Sequence, residues 1–406
     1  MDTTITPYVL NPEGVDITGE AAKLRARGEL TVVELPGAVP AWSITHPDLA
    51  RLLLNHPKVS KNSRHWPAFV NGEIGPDWPL WLWVAVNNMF TADGAEHRRL
   101  RKLLSPAFTR DRIAALRPRI EAITSDLLDD LATTPTGEPA DVRERFAYPL
   151  PIRVIAELMG VPEHLCKDLR AAVDGLFATD LTPEDAATSH TLMYTVLSEL
   201  VAHCRRHPGP EDLTRLLIGY TDPANQQLDE QQLLDTLLMV ISAGHETTVN
   251  LLDQAILALL DHPDQYAAVR AGQADWSEVI EEALRFRPPV AHVPLRYAVD
   301  DIHLDGTTIE RGDPILISYA ALALDPVYGH QPDRFDLTRK NLAHLSFGYG
   351  PHLCLGVGLA RLEAAVALPA LFQRFPTMRL AVTPEELGTI PSFISNGHRA
   401  LPLHLT

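Results

Sequence analysis

Cysteine is scarce in this chain of 406 residues. There are three, Cys166, Cys204 and Cys354, at scattered positions. A disulfide framework needs an even and regularly spaced set, so this odd count argues against one and indicates a reducing compartment. We expect at most one or two of the three thiols to have a chemical role.

Long apolar runs are also missing. The first seven residues contain no basic segment followed by an apolar stretch, which a secretory leader would require. No segment elsewhere reaches the ~18 uncharged apolar residues of a membrane-spanning helix. We therefore expect a cytoplasmic protein with no membrane partner.

Positive charge is in deficit. The chain has 35 Lys and Arg against 52 Asp and Glu, a formal net charge of −17. Such a field repels phosphate backbones and anionic lipid headgroups, which argues against nucleic acid as a partner. The apolar fraction of 46% is that of an ordinary globular protein and excludes a disordered or fibrous chain.

The pattern along the chain predicts a mainly helical protein. From about Arg98 to Arg285 apolar residues recur at helical spacing, with no convincing strand, and a helix from Pro183 to about Arg206 is predicted behind the capping residue Thr182. No repeat, low-complexity tract or Gly/Ser linker divides the sequence, so we expect one domain over 1–406. Its fold class is mainly α with small β-sheets (α+β). The predicted strand segments are Thr31–Leu35, Ala41–Ile44, Asp300–Leu304 and Pro314–Ser318.

Four of the six tryptophans, at positions 66, 78, 81 and 83, fall in a segment without a clear helical pattern. Long loops in compact proteins are commonly lids or binding loops. The aromatic cluster therefore either roofs an apolar pocket or anchors the loop to the core. The residues alone leave both interpretations open.

The most informative segment is Phe347-Gly348-Tyr349-Gly350-Pro351-His352-Leu353-Cys354-Leu355-Gly356. A helical pattern follows it, so Cys354 lies where the helix dipole and free amides favour a thiolate. Glycines at 348, 350 and 356 permit positive φ and a close approach to a flat ligand. The sulfur of Cys354 is thus expected to be presented to a ligand.

This segment resembles the haem-ligand loop of cytochrome P450 monooxygenases, Phe-Gly-x-Gly-x-His-x-Cys-x-Gly. The resemblance implies the P450 fold, with haem b (iron protoporphyrin IX) between a long central helix and the cysteine loop. It makes Cys354 the axial thiolate on the haem iron. In P450s this thiolate donates electron density that favours O–O cleavage. By the same resemblance Phe347 and Gly348 form the loop against the haem, and His352 contacts a propionate.

A second motif, Ala243-Gly244-His245-Glu246-Thr247-Thr248, lies in a long apolar helix that begins near Asp229. A threonine in mid-helix can donate to the carbonyl four residues earlier, and the missing side chain of Gly244 would leave room for dioxygen. The resemblance places Ala243 and Gly244 beside the haem. It makes Glu246 and Thr247 the acid-alcohol pair that delivers protons; a kinked helix with a paired Glu246 is the alternative.

Two further motifs are weak alone but occur in the order that P450s show. Glu282-Ala283-Leu284-Arg285 sets an acid and a guanidinium on one helix face, and the resemblance makes them a structural clamp with Arg334 as the third member. The alternative is a surface ion pair. His97, Arg101 and Arg296 are the basic residues that match haem-propionate contacts, although isolated basic residues could equally pair with acids.

The activity implied by the resemblance is insertion of one oxygen atom of O2 into a C–H bond, with the other released as water. No Gly-x-Gly-x-x-Gly fingerprint follows a strand, so electrons are expected from a ferredoxin and a ferredoxin reductase. Arg98 and Lys102 lie beside the haem-contact residues but point elsewhere. We expect them to line the docking face for an acidic ferredoxin.

The candidate substrate contacts are all apolar, which suits a bulky hydrophobic ligand. A steroid hydroxylase and a macrolide or polyketide hydroxylase both remain open. A peroxygenase would carry an Arg-Pro pair in place of Glu246-Thr247, and a haem-based sensor or carrier would be expected to have an output domain or an exposed cofactor. The candidate contacts are Trp83, Val84, Met89, Phe90, Phe177, Met239, Val240, Val290, Val293 and Ile394.

Overall fold

The computed structural model describes residues 6–209, 212–221, 226–304 and 306–406. Helices make up most of this part of the chain, as the apolar spacing predicts. Their bounds are α1 (Ile17–Ala26), α2 (Pro47–Leu54), α3 (Pro67–Val70), α4 (Trp81–Val84), α5 (Gly94–Leu104), α6 (Arg110–Ala115), α7 (Arg117–Leu131), α8 (Pro149–Met159), α9 (Cys166–Phe177), α10 (Pro183–Arg206), α11 (Leu213–Gly219), α12 (Glu230–Asp261), α13 (Pro263–Arg270), α14 (Trp276–Phe286), α15 (Tyr319–Ala323) and α16 (Val357–Arg374).

Apart from one two-residue strand, the strands lie before residue 61 or after residue 291. Six of them form one sheet in the order β1-β2-β3-β9-β6-β4, three form β10-β11-β5, and β7 pairs with β8. Arg296 lies on β6, just after an irregularity in its pairing with β9. The strand bounds are β1 (Tyr8–Val9), β2 (Leu30–Leu35), β3 (Val39–Ile44), β4 (Val59–Ser60), β5 (Ala140–Asp141), β6 (His292–Ala298), β7 (Ile302–Leu304), β8 (Thr307–Ile309), β9 (Pro314–Ser318), β10 (Arg379–Leu380) and β11 (Pro402–His404).

Helix α12 runs through the interior. Its 32 residues span about 48 Å at the helical rise of about 1.5 Å per residue. Asp229 caps its start by accepting from the Gln232 amide at 2.7 Å. It packs against α8, α14 and α16, so most of its side chains are buried. None of the helices in the described ranges is long and apolar enough to cross a membrane.

Most of the predicted elements are confirmed. Helix α10 covers Pro183–Arg206, and the Thr182 hydroxyl accepts from the Asp185 amide at 3.2 Å. Two predictions are wrong. The span expected to lack strands contains the two-residue strand β5, which exists because β11 pairs with it. The tryptophan-rich segment contains the short helices α3 and α4 instead of one long loop.

Candidate active site

Two glycines shape the loop that precedes α16. Gly348 and Gly350 have φ values of 75° and 74°, in the left-handed region that glycine adopts without steric cost, as predicted. Gly356 has a φ of −82° and does not need this freedom. The Cys354 amide donates to the Phe347 carbonyl at 2.8 Å. This bond closes the loop and holds Cys354 ahead of the N-terminus of α16.

The Cys354 side chain keeps accessible surface at this loop, although enough protein surrounds it to desolvate the thiolate. Burial raises its pKa above the usual value, whereas the amides of Gly356 and Val357 and the charge of Arg101 lower it. The amides act in the predicted direction. Desolvation of the thiolate outweighs them, so the pKa is raised on balance.

Three basic side chains lie together beside this loop: His97, Arg296 and His352. The rings of His97 and His352 are 4.1 Å apart between centroids. Burial lowers the pKa of both, and the positive charge of Arg296 lowers it further. In the described ranges none of the three pairs with a carboxylate, and the buried Nε2 of His97 has no hydrogen-bond partner. Arg296 is a buried cation without an acid, which is unfavourable, and the two imidazoles can donate hydrogen bonds. The cluster therefore fits a ligand with carboxylates, such as haem.

Arg101 reaches the same loop from α5. Its Nη1 donates to the Leu353 carbonyl at 2.8 Å, one helical turn after the buried His97. The prediction that these two residues share a helix face is therefore consistent with their placement. Arg98 and Lys102, their neighbours in sequence, are exposed, as expected for side chains that point away from the loop.

Sequence reasoning missed a buried lysine in this region. Lys61 follows β4 and is only 3% exposed. Its Nζ donates to the Pro294 carbonyl at 3.2 Å and lies 3.5 Å from the centre of the Phe90 ring. Burial lowers its pKa well below the usual value, and Arg296 lowers it further. Lys61 thus adds a buried basic side chain to the cluster, and nothing local in the sequence distinguishes it from a solvated lysine.

The centre of α12 has the predicted threonine bond and an unexpected glycine contact. The Thr247 hydroxyl donates to the Ala243 carbonyl at 2.6 Å, which confirms the prediction. A Cβ on Gly244 would lie 2.5 Å from Cδ1 of Ile155 on α8. The expectation that its missing side chain leaves room for dioxygen is therefore corrected, because Ile155 takes that space and the glycine lets α8 approach α12.

Glu246 is buried and paired with residues that its motif does not contain. Its Oε1 accepts from Nη2 of Arg143 at 3.0 Å and from the Ser395 hydroxyl at 2.9 Å. Burial raises the pKa of Glu246, whereas Arg143 and Ser395 lower it. The partners are 103 and 149 residues away in the chain, so no local pattern could identify them.

Arg143 belongs to a π-helical turn, Arg143–Ala147, that precedes α8. Its Nη1 donates to the Asn250 side chain at 3.0 Å and lies 3.5 Å from the Asp253 carboxylate. Asp253 in turn binds Nδ1 of His398 at 2.9 Å. Burial raises the pKa of Asp253, but His398 and Arg143 bring it below its usual value. The arginine thus connects two buried acids of α12.

The acid-guanidinium clamp forms, but its third cation differs from the prediction. Glu282 and Arg285 lie on one helix face, with Nη2 of Arg285 2.7 Å from Oε1 of Glu282. Both side chains are fully buried, so they are not a surface pair. The third cation is Arg339, whose Nε lies 3.1 Å from Glu282. Arg334 was the predicted third member; only its backbone carbonyl takes part, accepting from Arg285 at 3.0 Å. Its side chain is exposed and pairs weakly with Asp264, at 3.4 Å.

Several candidate substrate contacts meet in two groups. The Trp83 ring packs edge-on against Phe90 and Phe177, at 5.9 and 5.5 Å between centroids. Val290 pairs with the residue after Ile394. The others are apolar side chains that are buried or half-buried: Val84, Met89, Met239 and Val240 belong to the main core, and Val293 packs against the core of the six-stranded sheet.

The four tryptophans of the segment were expected either to roof an apolar pocket or to anchor the segment to the core, and they do not all have the same surroundings. Trp66 and Trp78 are buried, and the Trp78 indole donates to the Pro36 carbonyl at 2.8 Å, so both anchor the segment. Trp81 lines a cleft of about 820 Å³ between α4, α10 and α12. The buried Nε1 of Trp83 has no hydrogen-bond partner in the described ranges.

The chain matches the family model "Cytochrome P450" over residues 276–387. The 2-hydroxy-5-methyl-1-naphthoate 7-hydroxylase of Streptomyces carzinostaticus is 43% identical over 401 residues, which cover 98% of this chain and 97% of that protein. Cytochrome P450 monooxygenase PikC of Streptomyces venezuelae is 38% identical over 99% of this chain and 95% of its own.

Solved structures agree with these sequence matches. CYP154A1 of Streptomyces coelicolor A3(2) has a TM-score of 0.94 and 51% identity, covering 98% of this chain and 100% of its own. Testosterone-bound CYP154C4 of Streptomyces sp. ATCC 11861 has a TM-score of 0.95 and 41% identity over 99% and 98%. Similarity along almost the whole chain shows that this protein belongs to the cytochrome P450 family of haem b monooxygenases and has their fold.

Proposed function

We propose that this monooxygenase hydroxylates a bulky hydrophobic compound, in the first instance a steroid, with electrons from a ferredoxin and its reductase. The observation that carries the proposal is the accessible Cys354 thiol, held by its loop beside basic side chains that lack acid partners in the described ranges. When bound there, haem supplies reductive activation of O2 under thiolate donation. Cys354 would ligate its iron, with the propionates held by His97, Arg101, Arg296 and His352.

The ferrous carbon monoxide complex tests the ligand. Thiolate ligation shifts its Soret band far to the red, so we expect that band in the wild type and its loss in Cys354→Ser. Equal spectra would contradict the assignment of Cys354. A haem sensor or carrier would give the thiolate spectrum without substrate-dependent oxidation of NADPH, which separates that function from the enzyme.

Glu246 and Thr247 are the residues proposed to handle protons. The Thr247 hydroxyl hydrogen is donated to the Ala243 carbonyl, so its oxygen is available to accept a hydrogen bond from water. Oε1 of Glu246 is held by two donors, which fixes the carboxyl for proton exchange. This pair also favours O2-dependent turnover over a peroxygenase.

Replacing the alcohol tests this assignment. We expect Thr247→Ala to keep its haem and substrate affinity but to release most of the consumed electrons as hydrogen peroxide. Thr247→Ser, which retains the hydroxyl, should recover most of the coupling. Product formation that stays fully coupled to NADPH oxidation in Thr247→Ala would contradict the role of the hydroxyl.

The steroid assignment rests on the apolar contacts around Trp83 and on the testosterone-bound relative, CYP154C4. The unpaired Trp83 indole is a donor for a carbonyl or hydroxyl oxygen on such a ligand. A second candidate class, macrolides, is supported by 6-deoxyerythronolide B hydroxylase, which is 33% identical over 99% of this chain.

A substrate panel separates these classes. Spectral titration and turnover are measured with testosterone, 6-deoxyerythronolide B and 2-hydroxy-5-methyl-1-naphthoate. We expect testosterone to bind most tightly and to lose about tenfold in affinity in Trp83→Phe, since a buried donor is then lost. Turnover of the macrolide precursor or the naphthoate alone would overturn the steroid assignment.

The electron donor is proposed to dock near α5. Arg98 and Lys102 are exposed on this helix, which also carries the buried His97. We expect Arg98→Glu and Lys102→Glu to slow the first electron transfer from an acidic ferredoxin, and high salt to slow it in the wild type. Arg379→Glu, an exposed site on β10, is the control. Equal rates in all variants and at all salt concentrations would contradict this docking face.

A further inference from the structure

Ser395 lies on the segment that carries two candidate substrate contacts. It follows Ile394 and pairs with Val290. The two backbone stretches of this bridge are also joined by the Ala291 amide, which donates to the Ile394 carbonyl at 2.7 Å. A ligand that contacts Val290 or Ile394 therefore presses on the backbone that carries Ser395, which is itself only 1% exposed.

The hydrogen-bond directions at Ser395 are determined by its neighbours. The amide Nδ2 of Asn250 donates to its Oγ at 2.7 Å, so the hydroxyl hydrogen is left for Oε1 of Glu246, 2.9 Å away. Asn250 cannot rotate freely, because its Oδ1 accepts from Arg143 at 3.0 Å. The serine is thus a donor to the carboxylate and not an acceptor from it.

The two oxygens of Glu246 have different surroundings. Oε1 accepts from Ser395 and from Arg143, whereas Oε2 forms no hydrogen bond in the described part of the chain. Glu246 and Arg143 are each 5% exposed, so both bonds act where water competes little. One oxygen is therefore fixed and the other is free to exchange a proton.

We propose that Ser395 is a positioning residue for Glu246: it holds Oε1 so that Oε2 can exchange protons, and it links the carboxyl to the substrate-contact segment. The inference rests on the proposed role of Glu246 as the proton-handling acid. Ser395 itself transfers no proton. Arg143 supplies charge from the other side but belongs to a different element. Among the described residues, the Ser395 hydroxyl is the direct hydrogen bond from the substrate-contact segment to Glu246.

The test compares Ser395→Ala and Ser395→Thr with wild-type holoenzyme, using the panel compound that is turned over fastest. We would measure the peroxide released per NADPH oxidised, the solvent isotope effect on kcat, and the Kd for substrate from spectral titration. We expect Ser395→Ala to lower product per NADPH by about tenfold, which is less than the about 10²–10⁴-fold that general acid catalysis contributes, because the carboxyl itself remains. Its isotope effect should change and its Kd should stay within about twofold; Ser395→Thr should restore coupling.

Ser392→Ala is the matched control. The Ser392 hydroxyl accepts from the amides of Ile394 and Ser395 at 3.2 and 3.0 Å, so the variant loosens the same segment without touching Glu246. It should weaken substrate binding and leave the isotope effect unchanged. If Ser395→Ala behaves like Ser392→Ala, or like the wild type, the inference is overturned.

Glu246→Gln separates this inference from the proposed function. If Glu246→Gln remains fully coupled, the role of the acid fails, and the role of Ser395 fails with it. If Glu246→Gln uncouples and Ser395→Ala does not, only the positioning role is refuted. Uncoupling in both, with the same altered isotope effect, supports the link between the segment and the carboxyl.

Discussion

The buried cluster around Glu282 allows a direct comparison of two arginines. Arg339 has a side chain only 4% exposed and places Nε 3.1 Å from Glu282, and its Nη1 also donates to the Tyr328 carbonyl at 2.9 Å. Arg334 has a side chain that is 51% exposed, 3.4 Å from Asp264. We therefore compare Arg339→Met with Arg334→Met.

The expected magnitudes differ strongly. Removing one partner of a buried ion pair costs about 3–5 kcal/mol, whereas an exposed pair contributes about 0–1 kcal/mol. At about 2.1 cal/mol/K per residue, the unfolding entropy of this chain is on the order of 0.85 kcal/mol/K. Arg339→Met should therefore lower the Tm by about 4–6 °C, and Arg334→Met by no more than about 1 °C.

Scanning calorimetry of the holoprotein at one scan rate measures both shifts, with haem content checked by absorbance. Arg339→Lys keeps the charge but loses the planar fork, so an intermediate shift is expected. An equal or larger shift in Arg334→Met would refute the reasoning, because the exposed arginine would then be the third member of the clamp.

Two further predictions concern buried or partly buried carboxylates. Burial raises the pKa of Glu281, but His344 and Arg361 bring it down to about 2, against about 4.3 in the unfolded chain. The stability that ionised Glu281 gives to the folded protein is therefore complete above about pH 5 and is lost as the pH falls towards 2. The stability gap between wild type and Glu281→Gln in urea unfolding should narrow over that range, and a constant gap would contradict this. Asp235 accepts from the Tyr194 hydroxyl and from an amide of the α4–α5 segment, so Asp235→Asn should speed ligand association and dissociation by about tenfold in stopped-flow titration; unchanged rates would show that this contact does not restrain the segment.

The motifs themselves were predictable from the sequence because each is local. A threonine in mid-helix can reach the carbonyls three and four residues back, and Thr247 uses the second of these. Two glycines of the cysteine loop take the positive φ that their spacing suggests. Helix α10 begins at the predicted cap, because the Thr182 hydroxyl and the following proline act over one turn.

Partners across the fold were not predictable in the same way. Arg334 and Arg339 lie five residues apart, and which guanidinium turns inward depends on the path of the backbone, which presents the Arg334 carbonyl to Arg285. The neighbour that Gly244 faces is likewise set by the fold, which brings Ile155 of α8 against it. A residue pattern identifies the type of side chain at a position but not the direction in which it points.

Glu246 shows what this limit means for function. Its motif specifies an acid next to Thr247, but the environment of the carboxyl comes from Arg143 and Ser395, which lie 103 and 149 residues away. Burial and these two donors shift its pKa in opposite directions. Two P450s with the same central-helix motif can therefore differ in proton delivery, because the groups that tune the acid lie outside that motif.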